Sequence, residues 1–219
     1  MKKISLILAF GLALSACGPK AAEQANSNAP GSTTSTSTKG SSPTSSNPQT
    51  ATDAGGEPVE HPEPTAAQTA VLTNGQTVNW DQQGITWTLP ANWKKQSAET
   101  LSFSAGAGDG AVLLANISTM DDSFPTDISL KAFHDGAKTR KKNGEVDELR
   151  YLEIDGLKGA QWRESPEKPD DFKRLQWMGY RKYAGQTQLV NLILSTSNKN
   201  FAKHQDEFYA ILYSMKLVH

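Results

Sequence analysis

Between Val78 and Val218 the spacing of apolar positions changes several times, and each change marks an element. Short apolar or alternating runs at Val78–Trp80, Ile85–Leu89, Leu101–Ser104 and Ala111–Thr119 have strand character. Leu149–Ile154 and Leu157–Arg163 flank Asp155-Gly156, a pair suited to a two-residue hairpin because both residue types accept positive φ. Leu175–Tyr183 and Thr187–Ser195 flank Ala184-Gly185-Gln186, which predicts a second tight hairpin. Two stretches show helical spacing instead. One runs from about Ser129 to Lys142, capped by Ser129 or Asp127, with Leu130, Phe133 and Ala137 on one face and Asn143-Gly144 as its stop. The other runs from about Asn200 to Met215 and carries the stripe Phe201, Phe208, Ile211, Leu212 and Met215. This order predicts an α+β fold: a mostly antiparallel sheet with two main helices packed against it.

Upstream of residue 75 the pattern disappears. STTSTSTKGSSPTSSNPQT and GGEPVEHPEPTAA hold almost no large apolar side chains, so residues 17–74 are expected to form a disordered tether. About 57 such residues behave as a coil of roughly 40–45 Å mean span. His61 falls in this stretch among prolines and glutamates, a poor setting for a metal. Before the tether, Lys2 and Lys3 precede an apolar run from Ile4 to Ala16. As a helix that run spans about 20 Å, short of the roughly 30 Å hydrocarbon core, and reads as a secretory signal over residues 1–16.

Leu14-Ser15-Ala16-Cys17 resembles the lipobox of bacterial lipoproteins, and Cys17 is the chain's only cysteine. That resemblance implies a diacylglyceryl thioether on Cys17, cleavage before it, and usually acylation of the new amine. Two or more acyl chains are needed because one gives only marginal anchoring. Gly18 follows the cysteine, and by the same resemblance the outer membrane is favoured over the inner in a cell that has one. With Cys17 modified, disulfides, zinc thiolates and cysteine nucleophiles are excluded. Export weighs against chemistry that depends on ATP, NAD or nucleic acid. From Gly75 onward 18 basic residues face 18 acidic ones, which lacks the basic footprint of a nucleic-acid binder.

Three motifs in the folded region resemble PsbP-like and DcrB-like domains. GITWTLPANWKK is similar to their entry hairpin with its Leu-Pro-x-x-Trp turn. LEIDGLKGAQW is similar to their central Ile-x-Gly hairpin, and ILYSMKL to the end of their last helix. The resemblance covers about Val78 to Val218 and implies an α/β/α sandwich over residues 75–219. It also implies an accessory, assembly or binding role with no shared catalytic set; no cofactor is expected.

Candidate chemistry is sparse. GAGDGA, Gly106 to Ala111, matches a dinucleotide fingerprint in letters, but the VLLANIS that follows is a strand where that motif needs a helix. Asn116-Ile117-Ser118 fits a glycosylation acceptor in letters only. His134 beside Asp135 could form an oriented general base, against the alternative of a packed, hydrogen-bonded histidine; His204 poses the same choice. Asp121-Asp122 supplies too few oxygens for calcium and reads as a solvated loop. Arg140-Lys141-Lys142 suits a helix C-terminus, with contact to anionic headgroups as the sharper alternative. The charged loop ESPEKPDDFKR, Glu164 to Arg174, is the expected partner surface through Glu167, Lys168, Asp170 and Asp171. Trp162, Trp177 and Tyr180 flank it, mostly as core, and one exposed ring there would make a good anchor.

The functional expectation is a non-enzymatic, lipid-anchored envelope protein that binds or steadies another envelope protein. A carrier or sensor for a lipid or glycan, with an apolar groove between helix and sheet, is the alternative. A hydrolase using His134 and Asp135 stands third.

Overall fold

The computed structural model describes residues 56–218. The expected signal peptide, Cys17 and the tether as far as residue 55 lie outside the described residues. The elements, in chain order, are β1 (Val59–Glu60), α1 (Ala66–Val71), β2 (Gln76–Trp80), β3 (Ile85–Leu89), β4 (Trp93–Ala98), β5 (Ser102–Ala107), β6 (Val112–Met120) and α2 (Thr126–Lys142). They continue with β7 (Val146–Ile154), β8 (Leu157–Glu164), β9 (Phe172–Tyr183), β10 (Gln186–Ser197), α3 (Asn198–Tyr213) and β11 (Lys216–Leu217).

Eight strands form one sheet in the order β1-β7-β8-β9-β10-β6-β5-β4, and β11-β3-β2 form a second, smaller one. Every pairing is antiparallel except that of β1 with β7. Period-two alternation splits the large sheet between two cores. On β9, Leu175 and Trp177 enter the larger core with Phe201, Phe208, Ile211 and Leu212 of α3, while Met178 and Tyr180 face the smaller core with Leu130 and Ala137 of α2. Helices therefore lie on both faces of the sheet, as the α/β/α expectation has it. Ser214 ties the end of α3 to the small sheet: its hydroxyl accepts from the Thr88 backbone N–H at 3.0 Å.

Both hairpins form. Asp155 and Gly156 take φ of 48° and 80°, and Ala184 and Gly185 take 49° and 76°. The second turn has two residues rather than three, since Gln186 already pairs with Tyr183. Helix α2 starts three residues before its expected first residue. Pro125 is the N-cap, with no side-chain cap hydrogen bond, and Asp127 and Ser129 lie inside the helix. Ser129 instead shares a 2.7 Å hydrogen bond with the Tyr180 hydroxyl. Its end is as expected: Gly144 at φ 80° lets Glu145 N–H reach the Arg140 carbonyl at 3.0 Å, closing a Schellman turn.

The boundary expected at residue 75 lies too late. β1 and α1 fall within the stretch assigned to the tether. Val59 is buried on the β7 edge, and α1 packs on α3 behind a capping box made by Thr65 and Gln68. Pro and Glu dominate the local composition and mask these few anchoring residues. β4 and β11 also carry no period of their own, because β4 is polar beyond Trp93 and β11 has two residues.

Candidate functional site

The segment between β8 and β9 is held at both ends. Ser165 N–H donates to the Glu145 carbonyl at 2.8 Å, anchoring the loop beside the end of α2. On the other side Asn198, the first residue of α3, donates from its side chain to the Pro166 carbonyl at 3.0 Å and from its backbone to the Asp171 carbonyl at 2.8 Å. Lys199 N–H reaches the Pro169 carbonyl at 2.9 Å, and its ammonium pairs with Asp170 at 2.6 Å. Two prolines and these bonds leave the loop little freedom to lose on association. Phe172 follows directly, and 62% of its surface is exposed.

Under this loop lies a cleft of about 350 Å³ lined by Arg140, Glu145, Glu164, Pro166, Glu167, Lys168 and Asp171. Glu164 accepts from Arg140 at 3.1 Å and from Arg174 at 2.9 Å, fixing the cleft floor. Of the expected partner residues, Glu167, Lys168 and Asp171 line the cleft, whereas Asp170 turns to Lys199. Of the basic cluster only Arg140 joins the cleft, and it does so already paired with Glu145 and Glu164. The exposed aromatic ring is Phe172; Trp177 and Trp162 are buried and Tyr180 is half-buried.

A second cleft, of about 360 Å³, escaped the sequence reading. It lies between the start of α1, β7, β8 and α3, and Glu148, Arg150, Arg163, Tyr209 and Tyr213 line it. Arg150 contacts Glu60 at 3.1 Å and Glu148 at 2.9 Å, and donates to the Tyr213 hydroxyl at 2.8 Å. Arg163 contacts Asp147 at 2.6 Å and Glu148 at 3.0 Å. Tyr209 donates to Glu148 at 2.6 Å. Burial, reinforced by Glu148, pushes the Tyr209 phenol far above its ordinary range. Burial opposes the charge on Arg150, but Tyr213, Glu148 and Glu60 outweigh it and hold the guanidinium above its ordinary value. These contacts pair the cations with the carboxylates, although Glu148 Oε1 meets Arg150 without an aligned hydrogen bond, and the network braces α3 and the β1 segment against β7 and β8. Asp147, Glu148, Arg150 and Arg163 are spread over two strands, and only their pairing across the hairpin brings them together.

His134 and Asp135 do not build a dyad. His134 is buried and stacks on Tyr151 at 4.1 Å and 10°, with Nε2 3.5 Å from Glu57. Asp135 is exposed and pairs with Lys131 at 2.6 Å. Asp122 bonds Lys182. His61 lies 3.6 Å from Glu153 of β7, on the ordered edge rather than in a coil. Gly106 and Ala107 end β5, and Gly108-Asp109-Gly110 form the turn into β6. Asn116 points to solvent from β6. Among the described residues no group of three His, Cys, Asp or Glu side chains is arranged to hold a metal ion, and no helix is long and apolar enough to cross a membrane.

Similar architectures exist among solved structures. Cyanobacterial PsbP (CyanoP) from Synechocystis matches with 13% identity and a TM-score of 0.44, covering 66% of this chain and 92% of that one. The chain is similar to it in fold. LpqN, involved in cell envelope biogenesis of Mycobacterium tuberculosis, matches with 14% identity and a TM-score of 0.48, covering 66% and 91%. The Ran-binding protein Mog1p of Saccharomyces cerevisiae matches with 14% identity and a TM-score of 0.40, covering 66% and 96%. A likeness of this degree assigns no activity or partner to this chain. No protein-family model and no curated protein matches the chain.

Proposed function

We propose that this chain is a non-enzymatic lipoprotein of the cell envelope, anchored through Cys17, that docks another envelope protein on the loop between β8 and β9. The observation that carries the reading is Phe172, a large apolar ring 62% exposed beside a loop already fixed by Asn198 and Lys199. An apolar anchor on a rigid, charged rim is the anatomy of a protein interface. The lipobox-like Leu14-Ser15-Ala16-Cys17 supports the anchor, with the outer membrane favoured by Gly18. The carrier reading is less well supported. The apolar hollow between α1 and α3, lined by Pro64, Leu72, Ala210 and Tyr213, holds about 190 Å³, below the roughly 300–1,000 Å³ of ordinary ligand sites.

Crosslinking in intact cells at native expression, followed by mass spectrometry, tests the docking. Crosslinks from Lys168 to one envelope protein are expected, and Phe172→Ala should weaken that complex about tenfold or more. A domain that crosslinks to nothing, or only through another face, refutes it. Anchoring is tested separately with a fatty-acid probe: the wild type is labelled, and Cys17→Ala is unlabelled and released. Labelling that survives the substitution places the attachment elsewhere.

A further inference from the structure

His204 lies on α3 with 1% of its side chain exposed. Both ring nitrogens face carboxylates. Nδ1 is 2.8 Å from Glu207 Oε2, and Nε2, sealed from solvent, is 3.2 Å from Asp109 Oδ2 in an ion-pair contact rather than an aligned hydrogen bond. The same Glu207 oxygen accepts the indole N–H of Trp93 at 2.9 Å, and Asp109 also takes the Lys203 ammonium at 2.5 Å. Among the described residues these are the charged groups facing the ring: Glu207 and Lys203 from α3 itself, and Asp109 from the β5–β6 turn. From β4 comes only the neutral indole of Trp93, and Phe208 stacks on the ring at 6.0 Å.

A carboxylate oxygen offers lone pairs only, and a neutral imidazole has a single N–H. Whichever tautomer a neutral His204 took, one bare nitrogen would confront a carboxylate in a buried site, where such repulsion is strong. The imidazolium has a proton for each. Lys203 does not remove the conflict, because it reaches Asp109 from outside and leaves the buried Nε2 still facing that carboxylate. We infer that His204 is a proton-operated clamp: doubly protonated, it fastens the Gly108–Gly110 turn and, through Glu207 and Trp93, edge strand β4 to α3, and loss of one proton loosens them. Lys203, an exposed side chain, is then the turn's remaining side-chain hold on α3. The inference does not depend on the docking partner, since every group in it belongs to this chain.

The test is a histidine nitrogen-15 titration of the full chain, with amide exchange followed in parallel over residues 106–111. Both His204 nitrogens should carry protons at the acid end of the titration, and the ring should lose one as the pH rises. Across that loss, after correction for intrinsic rates, exchange in the turn should accelerate roughly tenfold. His204→Gln identifies the signal and should abolish the pH dependence of turn exchange. Should that variant fail to fold, the wild-type titration alone decides, with Asp109→Asn expected to shift proton loss to lower pH. A ring whose proton count stays constant over the pH range in which the chain is folded, or turn protection unchanged while the ring titrates, overturns the clamp.

Discussion

Trp177 lies flat across two glycines, and the centre of the sheet depends on that contact. Its indole N–H donates to the Leu152 carbonyl at 3.1 Å across β8. A Cβ built on Gly159 would come within 2.3 Å of the ring, and one on Gly179 within 2.7 Å. Gly159→Ala should therefore destabilise the fold by about 1–3 kcal/mol, as overpacking does. A urea midpoint equal to wild type would show that the ring can move aside at no cost. Nothing in LEIDGLKGAQW marks Gly159 as more constrained than its neighbours, because the demand comes from a residue on the next strand. Phe172 illustrates the same limit. The sequence marks Trp162, Trp177 and Tyr180 as mostly core and does not single out Phe172; the strand register buries Trp177 and Trp162 in opposite cores and leaves Phe172 outside.

At the scale of elements, local rules and tertiary packing divide the work. The Asp155-Gly156 turn and the Asn143-Gly144 stop are legible because only certain residues accept positive φ at low cost. The start of α2 is not, since Pro125, Asp127 and Ser129 all fit an N-terminus and the choice falls to the Ser129–Tyr180 contact. Helix α1 is the opposite case: Thr65-Ala66-Ala67-Gln68 is a complete capping box, yet six residues cannot hold a helix without the α3 surface beneath them. Thr65→Ala should cost about 1 kcal/mol and raise amide exchange across Ala66–Leu72 while α3 keeps its protection. Equal loss of protection in α3 would mean that α1 and α3 open as one unit rather than in sequence.

For the molecule as a whole, balanced charge conceals an asymmetric response to acid. Lys203 above all lowers the titration of Asp109, Lys182 that of Asp122 and Lys131 that of Asp135, each from an ordinary value of 3.8. A carboxyl lowered on folding adds stability above its ordinary value and loses it as the pH falls through the lowered one. Stability should thus decline below about pH 4, and at these exposed pairs about 1 M salt should flatten the decline by screening them. Urea midpoints between about pH 2 and 6, with and without salt, check this, and an acid limb indifferent to salt would assign the loss to buried groups instead. The sequence by itself determined the α+β class, both hairpins and the helix stripes, because backbone conformation and apolar periodicity are local properties. The resemblance to lipoproteins at Cys17 is likewise read from adjacent residues. Only the tertiary structure decided that the domain begins before residue 75, that Phe172 is the exposed ring and that His204 sits between two carboxylates. Those features join residues far apart in the chain, and their energies exist only once the sheet brings them into contact.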